Sequence, residues 1–239
     1  MDYPSVLHLH TMVGVLTLIM FWTAAFSRKG AKTHRLAGKV YLICIMLILA
    51  SVIPITIITF ERKGYAAAFG LVFLFVMTFT AAWVARRSIA CKNNLPGYRN
   101  YALRGLAALL TALGIFLLFL SIKGGSFLYS FFACTGITLA GSMWQLIVAR
   151  NVRPNWYLVQ HLNGVALLFA ATHASFLRFG LTKLIPVIPD TPEFNTVAQT
   201  SVILFALLLR LTVGSHFIAR RTNYRSTLAQ VLCGDHTKK

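Results

Sequence analysis

Acidic side chains are almost missing from this sequence. The chain has 239 residues, and only five of them are aspartate or glutamate, against 23 lysines and arginines. None of the five lies inside a long apolar run, which argues against a proton or cation pathway built on buried carboxylates. Charged residues make up 12% of the chain and hydrophobic ones 57%. That balance leaves too few polar side chains to cover the surface of a soluble protein.

The common catalytic and metal motifs are missing as well. The four cysteines form no CxxC or CxxH pattern and are predicted to be small buried apolar residues: Cys44, Cys91, Cys134 and Cys233. No phosphate-binding loop, nucleophile elbow or HExxH element occurs. The first apolar run has no basic segment before it, so it is not expected to be a cleavable signal peptide.

What fills the chain instead is a series of seven apolar runs. Each has the length of about 20 residues that a helix needs to cross a hydrocarbon core of about 30 Å. The runs are Val6 to Phe26, Ala37 to Phe60, Tyr65 to Ala85, Leu103 to Ile122, Phe127 to Val148, Trp156 to Leu177 and Val197 to Ala219. The sequence therefore predicts an all-α polytopic transmembrane bundle of seven spans, forming one domain over residues 1–239. The seventh run has no lysine for a Schiff base, which excludes a retinal protein.

The distribution of the net charge of +18 sets the expected orientation. Most basic residues fall in the first, third and fifth loops and in the C-terminal tail, and such loops stay in the cytoplasm. The N-terminus is therefore predicted outside and the C-terminus inside. The basic inner side is expected to contact anionic lipids. No nucleic-acid partner is expected, because the chain has no folded domain to present these charges.

The histidines sort into two layers under this topology. Three are expected toward the outer side and three toward the inner side, respectively His8, His10 and His173, and His34, His161 and His216. His161 and His173 share the sixth run and are about 18 Å apart along a helix, which suits two stacked redox centres. We therefore predict haem b, or another metal, between His10 and His173 and between His34 and His161. His216 is an alternative inner ligand. About 120° separates His161 and His173 around the helix, so they would face different neighbours.

Arg210 is the one basic residue expected deep within a span. No acidic residue is expected in the membrane to neutralise it, and an unpaired guanidinium there costs at least ~2.5 kcal/mol. A haem propionate, a quinone carbonyl or an anionic substrate would stabilise it. Buried backbone carbonyls, or snorkelling to the interface, are the alternatives. We therefore include Arg210 among the candidate cofactor-binding residues.

Two short elements resemble a known family. The segment after His10 leads into His34-Arg35-Leu36-Ala37-Gly38-Lys39-Val40-Tyr41, and Arg99-Asn100-Tyr101-Ala102 precedes the fourth run. Together they resemble an uncharacterised family of bacterial predicted multi-pass membrane proteins that carries an HRxxGRxY element. The likeness covers the first half of the chain, and a second His-Arg pair that the family has before RNYA is missing here. The resemblance implies a bacterial inner (plasma) membrane and singles out His10 and His34, but it implies no activity.

These observations give one leading functional hypothesis and two alternatives. The histidine layers favour a b-type haem protein that transfers electrons across or within the membrane, with a quinone or another redox partner. Arg210 favours instead a transporter or channel for a neutral or anionic solute. The third alternative is a non-catalytic membrane subunit of a larger complex.

Overall fold

The regular structure is helical throughout the part of the chain that can be described. The computed structural model describes residues 3–177, 185, 191–216 and 218, and these contain no strand. The helices are α1 (Tyr3–Phe26), α2 (Lys32–Lys63), α3 (Tyr65–Ala90), α4 (Leu95–Tyr98), α5 (Tyr101–Lys123), α6 (Phe127–Val148), α7 (Trp156–Ser175) and α8 (Pro192–Leu209). A π-helical turn, Arg210–Gly214, continues α8. The prediction of an all-α protein is confirmed.

Six of these helices are long and apolar enough to cross a membrane: α1, α2, α3, α5, α6 and α8 with its π-turn. Many large apolar side chains on them are exposed, as expected for surfaces that face lipid. The chain is therefore a multi-pass membrane protein. The predicted sixth span, α7, is not among the six, because it carries polar residues such as Gln160, His161, Asn163 and His173.

The predicted spans agree closely with the helices, and they differ mainly at the ends. α6 has the predicted bounds, whereas α2 begins five residues before Ala37 and ends three residues after Phe60. Gly64 then joins α2 to α3 with φ of 79°, a left-handed backbone conformation that favours glycine. The helix α2 runs through Pro54 without interruption.

The two central helices are α3 and α7. They pack on each other, α2 also lies against α3, and α8 lies against α7. The α1–α2 and α5–α6 pairs flank this centre. Gly164 is the point of closest approach, since a Cβ there would lie 2.6 Å from the Ala81 carbonyl oxygen and 2.9 Å from the Ala85 nitrogen. The absence of a side chain at Gly164 therefore lets α7 touch the backbone of α3.

Three connections gather at one end of the bundle. Residues 27–31 join α1 to α2, residues 91–100 join α3 to α5 through α4, and residues 149–155 join α6 to α7. This end, called the basic end below, carries Arg28, Lys29, Arg86, Arg87, Lys92, Arg99, Arg150 and Arg153. The helix α7 begins at this end, so its first polar residues, Gln160 and His161, lie toward the basic end.

Candidate functional site

Three histidine rings are held in the same way. The Nδ1 atoms of His34, His161 and His173 lie 2.9, 2.8 and 2.9 Å from the carbonyl oxygens of Ala24, Ala85 and Phe169, respectively. A carbonyl oxygen only accepts, so each Nδ1 carries the hydrogen and donates it. The lone pair is then on Nε2. This tautomer is the one that metal-ligating histidines commonly adopt, because the bonded Nδ1 orients the ring.

The structure brings the predicted inner pair to the basic end. His34 lies in the first turn of α2 and bonds back to Ala24 at the end of α1. Lys29 donates to the same carbonyl at 3.3 Å and to Ala25, which holds the connection against α1. His161, near the first residue of α7, lies toward the same end of the bundle as Lys29 and His34. Partial burial lowers the pKa of the Lys29 amine.

His161 owes its position to the close approach of α7 and α3. Gly164, one turn farther along α7, removes the side chain that would separate the two backbones. The ring of His161 can then reach the carbonyl of Ala85 on α3. His161 is therefore fixed by α3, while His34 is fixed by α1, and both present Nε2 as the acceptor.

His34 and His161 differ from His173 in the access to Nε2. The Nε2 atom of His173 is buried and has no hydrogen-bond partner within the described residues. The rings of His34 and His161 are half-buried, and neither Nε2 is a buried atom without a partner. The half-buried pair His34 and His161, with Lys29 beside it, is called the inner histidine site below.

The predicted outer pair does not form. His10 donates from Nδ1 to the Ser51 hydroxyl at 2.7 Å, because the Ser51 hydrogen is already used on the Ile48 carbonyl. The ring of His173 instead lies against Phe21 and Trp22 at centroid distances of 5.3 and 5.6 Å. These rings are eleven or twelve residues past His10 on α1, about 17 Å along the helix. The structure therefore does not bring His10 and His173 together, because α7 is shifted along the bundle relative to α1.

The surroundings of His173 are aromatic and closed. Its ring stacks on Phe169 at 4.0 Å, in addition to the edge contacts with Phe21 and Trp22. The buried hydroxyl of Tyr41 on α2 faces Thr172, without a hydrogen bond of ordinary geometry. Nε2 of His173 has no open position for an incoming ligand. His173 is therefore part of the packing between α1, α2 and α7.

Arg210 has a neutral partner. Its Nε donates to the Oδ1 of Asn163 at 2.7 Å. The side chain extends along the π-helical turn over Gly214, where its Nη1 lies 3.2 Å from the place that a Cβ would take. The acidic residue on its own helix, Glu193, is about 25 Å away along the axis. The charge of Arg210 is thus hydrogen-bonded but not neutralised by this partner.

Arg210 lies on a different side of α7 from the inner histidine site. Asn163 and His161 are two residues apart on α7, which places them about 200° apart around the helix. His161 points to α3 and Asn163 to the end of α8. Arg210 and the inner histidine site are therefore two separate places. His216, the alternative inner ligand, is exposed.

The described cysteines are free, with Cys44 and Cys91 buried and Cys134 exposed. Cys233 lies outside the described residues. The burial of the first two agrees with the sequence-based expectation, whereas Cys134 differs. Within the described ranges, histidines, cysteines and acidic residues do not form any group of three or more that could hold a metal ion.

Sequence reasoning missed Asn163 and Lys29 as parts of these sites. Asn163 bonds to another helix, and its partner there is the charged side chain of Arg210. The sequence signal available for Asn163 was its position two residues after the candidate ligand His161. Lys29 had no signal beyond its place in a short basic loop.

No family model, curated protein or solved structure matches the chain.

Proposed function

We propose that this chain is a b-type haem protein that transfers electrons across or within the membrane, with one haem at the inner histidine site. The observation that carries the proposal is the shared arrangement of His34 and His161. Each ring donates Nδ1–H to a backbone carbonyl, at 2.9 and 2.8 Å, which leaves the lone pair on Nε2. Imidazoles oriented in this way would suit the ligation of haem iron.

The ligand count favours haem over a bare metal ion. A porphyrin supplies four nitrogens itself, so two histidines complete the coordination of its iron. A bare transition metal would need more protein ligands than the described part of the chain brings together. Lys29 and the neighbouring basic residues of the α1–α2 connection also suit the negative charge of the propionates. The residues of the site therefore fit a haem.

The proposal contains one haem and not the two expected from the sequence. His10 and His173 are about 17 Å apart along the bundle, and Nε2 of His173 is closed off by protein. When bound, haem supplies a one-electron couple. His34 and His161 would hold its iron through Nε2, and their Nδ1 bonds to Ala24 and Ala85 would keep the two rings in place. A quinone or a redox protein is the proposed electron partner.

The proposed topology has seven spans, with the N-terminus outside and the C-terminus inside a bacterial inner membrane. The distribution of basic residues supports the orientation. The helix α7 is proposed as the seventh span because it is buried among α3, α8, α6 and α1. A helix that faces protein can be less apolar than one that faces lipid.

The absorption spectrum of the purified protein tests the proposal. The chain is expressed with a haem precursor, purified in detergent, and recorded oxidised and reduced. We expect a Soret band whose intensity falls severalfold in His34→Ala and in His161→Ala. The matched controls His10→Ala and His216→Ala should keep the band. The proposal is refuted if the protein shows no Soret band, or if the band is weakened equally in all four variants.

A second candidate function uses Arg210. Its guanidinium is bonded to a neutral amide and lies on a π-helical turn, a feature that is frequent at functional sites. A transporter or channel for an anionic solute would use this charge. Arg210→Ala would then abolish stabilisation by the solute and leave the haem content unchanged. Loss of haem in Arg210→Ala would instead connect Arg210 to the haem.

A further inference from the structure

A groove runs along the exposed side of α1 where this helix approaches the basic end. Its volume is about 770 Å³, within the range of about 300–1,000 Å³ that small-molecule sites occupy. The described residues that line it are Leu18, Ile19, Trp22, Thr23, Phe26 and Ser27. Ile19, Trp22 and Phe26 are exposed, as expected of a surface that faces lipid. A ligand dissolved in the membrane can therefore reach the groove directly.

The groove changes from apolar to polar along its length. Leu18 lines the deeper part, and Thr23 and Ser27 line the part nearest the basic end. Nine residues, about 13 Å of helix, separate Leu18 from Ser27. Between them the rings of Trp22 and Phe26 stack at a centroid distance of 5.3 Å, with 22° between their planes. The groove therefore fits an amphipathic ligand that has a flat ring and an apolar tail.

The two hydroxyl groups of the groove are left as acceptors. Thr23 donates its hydrogen to the Ile19 carbonyl, and Ser27 donates its hydrogen to the Thr23 carbonyl. Because a hydroxyl has a single hydrogen, both oxygens can then only accept from a ligand. Four residues, about 6 Å of helix, separate them on one face of α1. This spacing is similar to that of two oxygens across a six-membered ring, so the pair suits a ring with an O–H group at each end.

The groove adjoins the inner histidine site. The carbonyl of Ala24, which accepts from Nδ1 of His34 at 2.9 Å, belongs to the residue directly after Thr23. A ring held by Thr23 and Ser27 would therefore lie within about one turn of the residue that positions His34. The groove and the inner histidine site thus share the last turn of α1.

We propose that this groove, called the quinol groove below, binds a membrane quinol. A quinol has a flat ring, two hydroxyl donors and an apolar isoprenoid tail. The ring matches the Trp22–Phe26 wall, the hydroxyls match the oxygens of Thr23 and Ser27, and the tail matches the apolar part at Leu18. An oxidised quinone has only carbonyl acceptors, so the same two oxygens do not bond to it. The groove thus favours the reduced form.

This inference deepens the proposed function and rests on it in one respect. The quinol would be the redox partner of the chain only if haem occupies the inner histidine site. The binding of quinol depends on α1 alone and does not require haem. The two proposals can therefore fail separately.

Binding to the full chain in detergent tests the quinol groove. Thermal stability and native mass are measured anaerobically with decylubiquinol, with decylubiquinone, and with the quinol methylated on both hydroxyls. The methylated compound keeps the ring and the tail but has no O–H donor. We expect decylubiquinol to bind about fivefold or more tightly than either of the others, the effect of two hydrogen bonds.

Variants of the two acceptors locate the binding. Thr23→Val keeps the shape of the side chain and removes its oxygen, and Ser27→Ala removes the second acceptor. Each should weaken quinol binding by about 2- to 10-fold and leave binding of the methylated compound unchanged. The matched control is Thr138→Val, since Thr138 is an exposed threonine on α6 that donates to the Cys134 carbonyl of its own helix. It should leave quinol binding unchanged.

The outcomes separate this inference from the proposed haem function. Quinol binding that is weakened by Thr23→Val supports the groove even if the protein shows no Soret band, and only the haem proposal then fails. A Soret band without such binding refutes the groove alone. Equal binding of all three compounds overturns the inference, because the groove would then accept any apolar molecule, such as a lipid chain. A dimer that Phe26→Lys converts to a monomer also overturns it, because a second copy of the chain would then cover the groove.

Discussion

The contact between α3 and α7 at Gly164 can be tested by adding a single methyl group. In Gly164→Ala the new Cβ would lie 2.6 Å from the Ala81 carbonyl oxygen and 2.9 Å from the Ala85 nitrogen. Both atoms belong to the backbone of α3, so no side chain can rotate away. Ordinary contact begins at 3.4 Å, and the two helices must therefore separate by about 0.8 Å at this point.

The expected change in stability of Gly164→Ala is the balance of two opposing effects. Overpacking of this kind typically costs about 1–3 kcal/mol, whereas replacing a mid-helix glycine by alanine favours the helix by about 0.5–1 kcal/mol. Gly141→Ala on α6 is the matched control, because a Cβ there meets nothing within 4 Å. The helix preference is common to both variants and cancels in their difference. We expect Gly164→Ala to be less stable than Gly141→Ala by about 1–3 kcal/mol.

The assay is equilibrium unfolding of the detergent-solubilised protein by a denaturing detergent, followed by circular dichroism. A difference of this size changes the unfolding equilibrium by about 5- to 150-fold. A separation of about 0.8 Å would also stretch the 2.8 Å bond between His161 and Ala85 beyond hydrogen-bonding distance, so haem content should fall in parallel. If Gly164→Ala is as stable as Gly141→Ala, the backbone contact between α3 and α7 does not exist.

Two further predictions concern the charge of Arg210 and the topology. Asn163→Leu should destabilise the protein by about 1.5–3 kcal/mol, because it removes the 2.7 Å bond to a charged group. Arg210→Met combined with Asn163→Leu should cost less than the sum of the single changes, and strict additivity in the unfolding assay would contradict the coupling. In a chain stripped of its own cysteines, Lys123→Cys should react with a membrane-impermeant maleimide on intact spheroplasts. Lys92→Cys should react only after lysis, and the reverse pattern would invert the proposed orientation.

The elements of the fold could be predicted well from the sequence, because a membrane helix is set by the length of its own apolar run. Phe127–Val148 has the predicted bounds, and α2 is longer by a few polar residues at each end. α7 was predicted as a span of the same kind, yet it is less apolar than the six others and lies at the centre. Apolar length does not reveal which helix is surrounded by protein.

The candidate site could be predicted only in part. Counting residues along a helix gives depth when the helices start at equal levels, and it placed His34 and His161 toward the same end of the bundle. It failed for His10 and His173, because α7 is shifted along the bundle and places His173 beside Phe21 and Trp22. The shift depends on how the helix surfaces fit together, which one sequence does not show.

The sequence by itself determined the helical architecture and the membrane environment, since both follow from composition, run length and the scarcity of acids. Only the tertiary structure decided which polar groups meet. Gly164 brings His161 to Ala85 of α3, and the 200° between His161 and Asn163 separates Arg210 from the histidines. The physical reason is that apolar burial is a property of each segment. A hydrogen bond between helices requires two segments to agree in depth and rotation at once.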